Sequence, residues 1–124
     1  LYRVKTEHLR NAALAPGKLA GLVEEYSPKP LCSGISLDSK GNIYVSDLPG
    51  KAIGMIAAGS RQYRVLASDP RFLWPDGLCF GPEGKLYFFT SSRRAMPRGA
   101  RLAAESSVNY LFKLQTPASG RVGD

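Results

Sequence analysis

A fifteen-residue pattern occurs twice in this chain, at an offset of 43 positions and without a gap: SGISLDSKGNIYVSD (33–47) and DGLCFGPEGKLYFFT (76–90). Gly34 aligns with Gly77, Gly41 with Gly84, Ile35 with Leu78, Ile43 with Leu86 and Tyr44 with Tyr87. Apolar residues alternate inside each copy, as Ile35 and Leu37 do around Ser36, which is the period of two of a β-strand. Between the alternating runs, DSKGN and GPEGK are short polar loops holding a glycine able to take positive φ, so each copy reads as a hairpin. A repeat of roughly 40–50 residues built on hairpins points to propeller blades, four-stranded antiparallel meanders arranged about an axis.

The remaining segments fill in that frame. KAIGMIAA (51–58) and RQYRVLAS (61–68) read as the third and fourth strands of the first copy, turned at AGSR. DPRFLWP is a crossover in which Pro70 and Pro75 oppose regular strand pairing, so the second copy is expected to begin at Asp76. Upstream, LYRVKT reads as the closing strand of a preceding unit. Thr6 is a candidate N-cap with Glu7 in the first turn. Pro16 opens a second short helix with Leu19, Leu22 and Val23 on one face. Past Ser92 the period is lost until SVNYLFKLQT (107–116), a candidate closing strand, after which PASGRVGD is expected to fray.

The expected architecture is all-β: a partial propeller of about two and a half blades over residues 1–116, with repeats starting near 33 and 76. Short helices lie in an inter-blade loop, and a flexible tail covers residues 117–124. Closed propellers hold roughly four to eight blades, and a blade buries its faces only against neighbours. The chain is therefore expected to be part of a longer protein, completed by further blades, or to associate with copies of itself.

Composition narrows the functions. The net charge is +7, and residues 91–124 supply +4 of it, with Arg93, Arg94, Arg98 and Arg101 as the basic centre. No aromatic residues interleave those arginines as a single-strand platform requires, so a solvated face is expected and no nucleic-acid partner. No apolar run approaches about eighteen residues, so no membrane-spanning helix is expected. Cys32 and Cys79 form no C-x-x-C motif, and His8 is the single histidine, too few for a structural zinc site of roughly four ligands. The cysteines are either free thiols in apolar strands or one disulfide. Neither the phosphate-binding G-x-x-x-x-G-K-[ST] nor the G-x-S-x-G elbow occurs.

The candidate site residues come from the repeat. Asp76 opens the inner strand of the second copy, where a carboxylate can act as a general base or metal ligand. Alternatively, it accepts backbone hydrogen bonds in a turn. Ser33 stands at the same mouth of the first copy. Trp74 either stacks on a ligand or packs between sheets, and Tyr87 is a further ligand-binding candidate. Asp47, matched by Thr90, is expected to cap a turn, and His8 to lie on the surface.

GISLDSKGNIYVSDLPGKAIGMI, YRVLASDPRFLWPDGL and GKLYFFTSS resemble the carboxy-terminal blades of the major royal jelly/yellow protein family, in particular its bacterial members. They are more distantly similar to the senescence-marker/gluconolactonase superfamily. The likeness runs from Leu1 to Ser92, with an echo in NYLFKL, and WPDGL after DPR is its most specific piece. It implies a six-bladed propeller with a central channel, in an extracellular or periplasmic protein. In the gluconolactonase branch it implies an Asp of a P-D-G motif that faces the channel and holds a divalent cation, calcium or zinc. That carries over to Asp76 alone. Ser33-Gly34 stands where royal-jelly relatives often have Asp-Gly, and the remaining ligands of that branch lie in blades this sequence lacks. A hard cation wants about six oxygens, so the metal belongs to a complete propeller. Three functions follow: a metal-dependent lactone or ester hydrolase using Asp76, a non-catalytic binder of a small molecule relying on Trp74 and Tyr87, or an inactive fragment.

Overall fold

The computed structural model describes residues 1–92 and 108–123. The all-β expectation holds: among the described residues the strands form three antiparallel sheets, and the helices are two short α-helical segments and one 3-10 turn at Pro82–Gly84. β1 (Tyr2–Arg3) and β2 (Glu24–Glu25) make a two-residue ribbon. β3 (Ile35–Leu37), β4 (Ile43–Asp47), β5 (Ala52–Ile56) and β6 (Tyr63–Ser68) make a four-stranded meander in sequence order. β7 (Pro75–Phe80), β8 (Leu86–Thr90) and β9 (Leu111–Leu114) make a three-stranded one. The two copies of the repeat are thus the first hairpins of successive meanders. Arg93, Arg94, Arg98 and Arg101, the basic centre, lie outside the described residues.

Sequence and structure part at Thr6, in the second helix and at Pro75. Thr6 does not cap α1 (Thr6–Arg10); it is the first helical residue, Lys5 holds the cap position and no side chain bonds there. The second helix, α2, covers only Pro16–Ala20, so Leu22 and Val23 leave the helical face and stay exposed. Pro75 does not precede the strand but begins it, paired with Thr90. A proline is tolerated there because β7 is an edge strand and Pro75 its first residue.

The strand registers assign each side chain a face. On β4, Tyr44 and Ser46 point one way with their β5 partners Met55 and Ile53, while Ile43 and Val45 point the other way with Ile56 and Gly54. Tyr44, Ile53 and Met55 meet Leu78, Phe80, Leu86 and Phe88 of the next meander in one buried cluster. Val45 and Ile56 meet Tyr26 in a second cluster, which Leu1 and Cys32 flank. The first meander is covered on both faces, and every residue of β4 from Tyr44 to Asp47 and of β5 is buried. The aromatic rings interlock: Tyr44 meets Phe80 edge-on at 5.6 Å, and Phe72 from the crossover meets Phe88 and Phe112 edge-on at 5.0 and 4.8 Å. Such contacts add to the stabilisation from apolar burial alone.

Buried polar groups in these strands are satisfied, as the low dielectric of a core demands. Asp47 accepts Gly50 N at 2.8 Å and the Tyr63 hydroxyl at 2.6 Å, so it does cap a turn. Asp38 organises the first hairpin, accepting Lys40 N and Asn42 N, each at 2.9 Å, Asn42 Nδ2 at 2.8 Å and the Tyr44 hydroxyl at 2.7 Å. The second hairpin lacks that carboxylate, having Gly81 in its place, and turns on Glu83 and Gly84 at φ of 65° and 63°. Where a frayed end was expected, Ser119 O accepts Ser39 N at 2.9 Å and Gly123 N donates to Phe80 O at 2.8 Å.

Burial raises the Asp38 pKa, but the hydrogen bonds from Asn42, Tyr44 and the Asn42 and Lys40 backbone outweigh it and hold the carboxyl below its ordinary range. A carboxyl with a depressed folded-state pKa stabilises fully above its unfolded value of about 3.9 and loses that contribution as pH falls through the folded value. Asp38→Asn is therefore expected to cost about 1–2 kcal/mol at neutral pH. Urea unfolding of the two proteins should show their midpoints converging as the pH is lowered below about 4.

Candidate functional site

Among the described residues, the hydrogen bond that ties a candidate residue of one meander to the next lies at the strand mouths. Ser33 Oγ donates to Pro75 O at 2.8 Å, tying the mouth of one meander to the mouth of the next. Ser46 Oγ on β4 holds Ser33 in place by accepting Ser33 N at 3.0 Å and Gly34 N at 2.8 Å, while Ser46 N donates to Gly34 O at 3.1 Å. The sheets approach so closely that a Cβ on Gly34 would lie 2.7 Å from Leu78 Cδ1 and 3.5 Å from Asp76 Oδ1. Glycine is the residue that permits this approach.

Asp76 is half-buried, and its Oδ1 accepts Gly77 N at 2.8 Å. Among the described residues Oδ2 has no donor. Gly77 has φ of 61°, and β7 carries one extra residue between the Asp76–Phe89 and Cys79–Tyr87 pairs. A bulge of this kind redirects the side chains on either side of it. Both readings of Asp76 survive in one residue: one oxygen serves the turn and the other is available.

Trp74, two residues earlier, has φ of 53°. Left-handed backbone at a bulky residue costs on the order of 1–3 kcal/mol and is retained where the surroundings enforce it. Its indole Nε1 is buried and has no acceptor among the described residues, as is true of Ser92 Oγ. Ser33 and Asp76 therefore stand at one end of the inter-sheet junction, where Trp74 adjoins Pro75 in the chain. Tyr87 does not join them. It pairs with Cys79 near the hairpin end of β7, and its ring covers Gly81.

Ser46 and Phe89 are the site residues that sequence reasoning missed. They occupy one column of the repeat, two positions after Tyr44 and Tyr87, and the strand period puts them on the same face. Ser46 fixes Ser33, whereas the Phe89 ring lies over Gly77 beside Asp76. The signal was the alternation itself, counted two residues beyond the conspicuous tyrosines.

The described residues do not fit a metal ion. No group of three or more His, Cys, Asp or Glu side chains among them is placed to hold one. Asp76 offers at most two oxygens against the roughly six that calcium takes. Cys32 and Cys79 are free, half-buried thiols rather than a disulfide, and His8 lies beside Glu7 in the helical segment, away from the mouths.

A second feature lies on the opposite face of the first meander. Leu1, Tyr2, Tyr26, Ile35, Leu37 and Ile43 line a groove of about 510 Å³ between β3 and the β1–β2 ribbon. The Arg3 and Arg61 guanidinium groups lie over the Tyr26 ring, 4.6 and 4.7 Å from its centre, and both donate to Glu24. These bonds from Arg3 and Arg61 hold the Glu24 carboxyl below its usual range. The ribbon is thereby pinned to the turn before β6.

No protein-family model and no curated protein matches the chain.

Ser46→Ala leaves Ser33 N and Gly34 N without their acceptor. It is expected to lower stability by about 1–3 kcal/mol, the cost of unpaired buried donors. Urea denaturation measures the loss, and faster amide hydrogen exchange at Ser33 and Gly34 than at β5 would locate it at the mouth.

Proposed function

We propose that this chain is part of a β-propeller of royal-jelly/yellow type that binds a small, hydroxylated molecule where the strand mouths meet. The observation that carries the reading is the 2.8 Å bond from Ser33 Oγ to Pro75 O, which ties the first residue of one repeat to the residue just before the next. Strand mouths that line up along one edge of stacked meanders are the walls of a channel, and channels collect ligands in this class of fold. The indole N–H of Trp74 and Oδ2 of Asp76, both without partners among the described residues, supply one donor and one acceptor two positions apart. That pair suits a ligand whose groups can do both, such as a polyol or a sugar lactone. The strained Trp74 backbone supports the same reading, since such strain concentrates at binding sites.

In this reading the ligand site is completed by sheets beyond the two meanders, and the protein works in the extracellular space or the periplasm. The alternative, metal-dependent hydrolysis with Asp76 as a ligand, needs further ligands that the described residues do not place beside it. Fold analogy alone does not choose between them.

Calorimetric titration with δ-gluconolactone and with the corresponding open-chain polyol tests the proposal. Asp76→Asn is expected to weaken binding by about 10- to 100-fold, the loss of one hydrogen bond to a charged group. Trp74→Phe, which keeps the ring and removes the N–H, is expected to weaken it by about 10-fold or less. Affinity that persists in excess chelator supports metal-free binding, affinity that vanishes supports a divalent cation at Asp76, and an unchanged Asp76→Asn protein overturns the site.

A further inference from the structure

We propose that Asp76 is a site of spontaneous backbone modification: its side chain closes on the nitrogen of Gly77 to form a succinimide, which opens to isoaspartate. The starting point is where the amide after each aspartate goes. Ser39 N, after Asp38, donates to Ser119 O at 2.9 Å, and Leu48 N, after Asp47, donates to Leu31 O at 3.1 Å. Asp69 is followed by Pro70, which has no N–H to give up. Among the described aspartates, Asp76 is the one whose following amide turns back on the carboxyl itself, with Gly77 N 2.8 Å from Oδ1.

The bulge in β7 brings this about. The register passes from the Asp76–Phe89 pair to the Cys79–Tyr87 pair and skips Gly77 and Leu78. Nucleophile and electrophile are thus neighbours in the chain and already in contact, and such proximity replaces an encounter. Gly77 is exposed and has no side chain to shield its nitrogen, and the Phe89 ring leaves no room for one. The other carboxyls are occupied elsewhere. Asp38 and Asp47 each accept a tyrosine hydroxyl and at least one backbone amide, and Arg71 grips Asp69 with bonds of 2.8 and 2.7 Å.

In the step, Gly77 N bonds to Cγ of the protonated Asp76 carboxyl and gives up its proton, and the hydroxyl leaves Cγ with a proton as one water. Water then adds to either carbonyl of the ring. Addition at Cγ breaks the new bond and restores aspartate. Addition at the main-chain carbonyl breaks the original peptide bond and leaves Gly77 joined through Cγ. That product lengthens the backbone by one methylene at the bulge and puts the free carboxylate on the former main-chain carbon. Water is the only co-reactant. The modification stands apart from the ligand reading above, but its consequence rests on it: the Asp76 acceptor leaves the strand mouth, so affinity falls as the protein ages.

The test incubates the full chain in warm, mildly acidic buffer beside a synthetic peptide of residues 72–85, the tryptic fragment that carries the site. Intact mass should show a species one water lighter. The tryptic digest should show a second 72–85 peak of unchanged mass, with isoaspartate at position 76 by electron-transfer fragmentation. The folded chain is expected to convert within about 10-fold of the peptide's rate, since the fold leaves the nitrogen beside the carboxyl. The fragments carrying Asp38, Asp47 and Asp69 should stay unchanged, and Asp76→Glu, whose ring would be six-membered, should show neither product. A folded chain that converts more slowly than that overturns the proposal, as does equal conversion at Asp38 and Asp47, which would mark general unfolding. Calorimetric titration of the purified isoaspartate form with δ-gluconolactone separates the two readings. Conversion with unchanged affinity overturns the ligand site alone, and affinity that Asp76→Ala abolishes, without any conversion, overturns the modification alone.

Discussion

The contact between the two meanders organises the rest of the molecule. A four-stranded sheet of this size has two apolar faces and no interior of its own, so it is stable only when another layer lies on each face. Here the second meander covers one face of β4 and β5, and Tyr26 with its neighbours covers the other. The alternation that marked these strands in the sequence therefore does not mean one wet face. Both sides of β4 are dry, and the polar residues among them, Ser46 and Asp47, are used as hydrogen-bond hubs rather than as solvent-facing positions.

Those hubs explain how so short a chain fixes its loops. Asp38, Asp47 and Ser46 each gather two or more donors, and two of the three take the hydroxyl of a tyrosine from elsewhere in the same sheet. Burial and the Asp38 carboxylate together push the Tyr44 hydroxyl well above its ordinary range, as burial and Asp47 do for Tyr63, so both phenols stay protonated donors. The second meander has Gly81 and Thr90 at the positions of Asp38 and Asp47. It relies instead on rings, with Phe72, Phe88 and Phe112 in mutual contact and Arg71 lying over Phe112 at 5.4 Å. One repeat frame is thus held by two different kinds of interaction.

Much of this was legible in the sequence because it is local. A period of two, a glycine in each loop and an offset of 43 located β3 to β8 within a residue or two. Features set by distant parts of the chain were not legible. Nothing near Pro75 says that its strand lies at a sheet edge, which is why a proline can begin it. Nothing in PASGRVGD announces that Ser119 accepts a bond from Ser39, eighty positions away in the other meander. At the candidate site, Ser33 and Asp76 were found because the repeat sets them in one column, and the structure brings their mouths together. Tyr87 was grouped with them for its chemistry, but strand direction places it at the far end of β7.

The column holding Ser46 and Phe89 shows how one position can set the role of each sheet. Where the neighbouring sheet belongs to the same chain, the residue is a small serine. Its hydroxyl replaces a backbone partner and lets Gly34 lie against Leu78. Where the sheet faces outward, the residue is a phenylalanine that covers Gly77 and presents an apolar ring. A phenylalanine at position 46 would drive the two meanders apart. The same column of the repeat thus carries a hydrogen-bonding residue at the buried junction and an apolar ring on the exposed face.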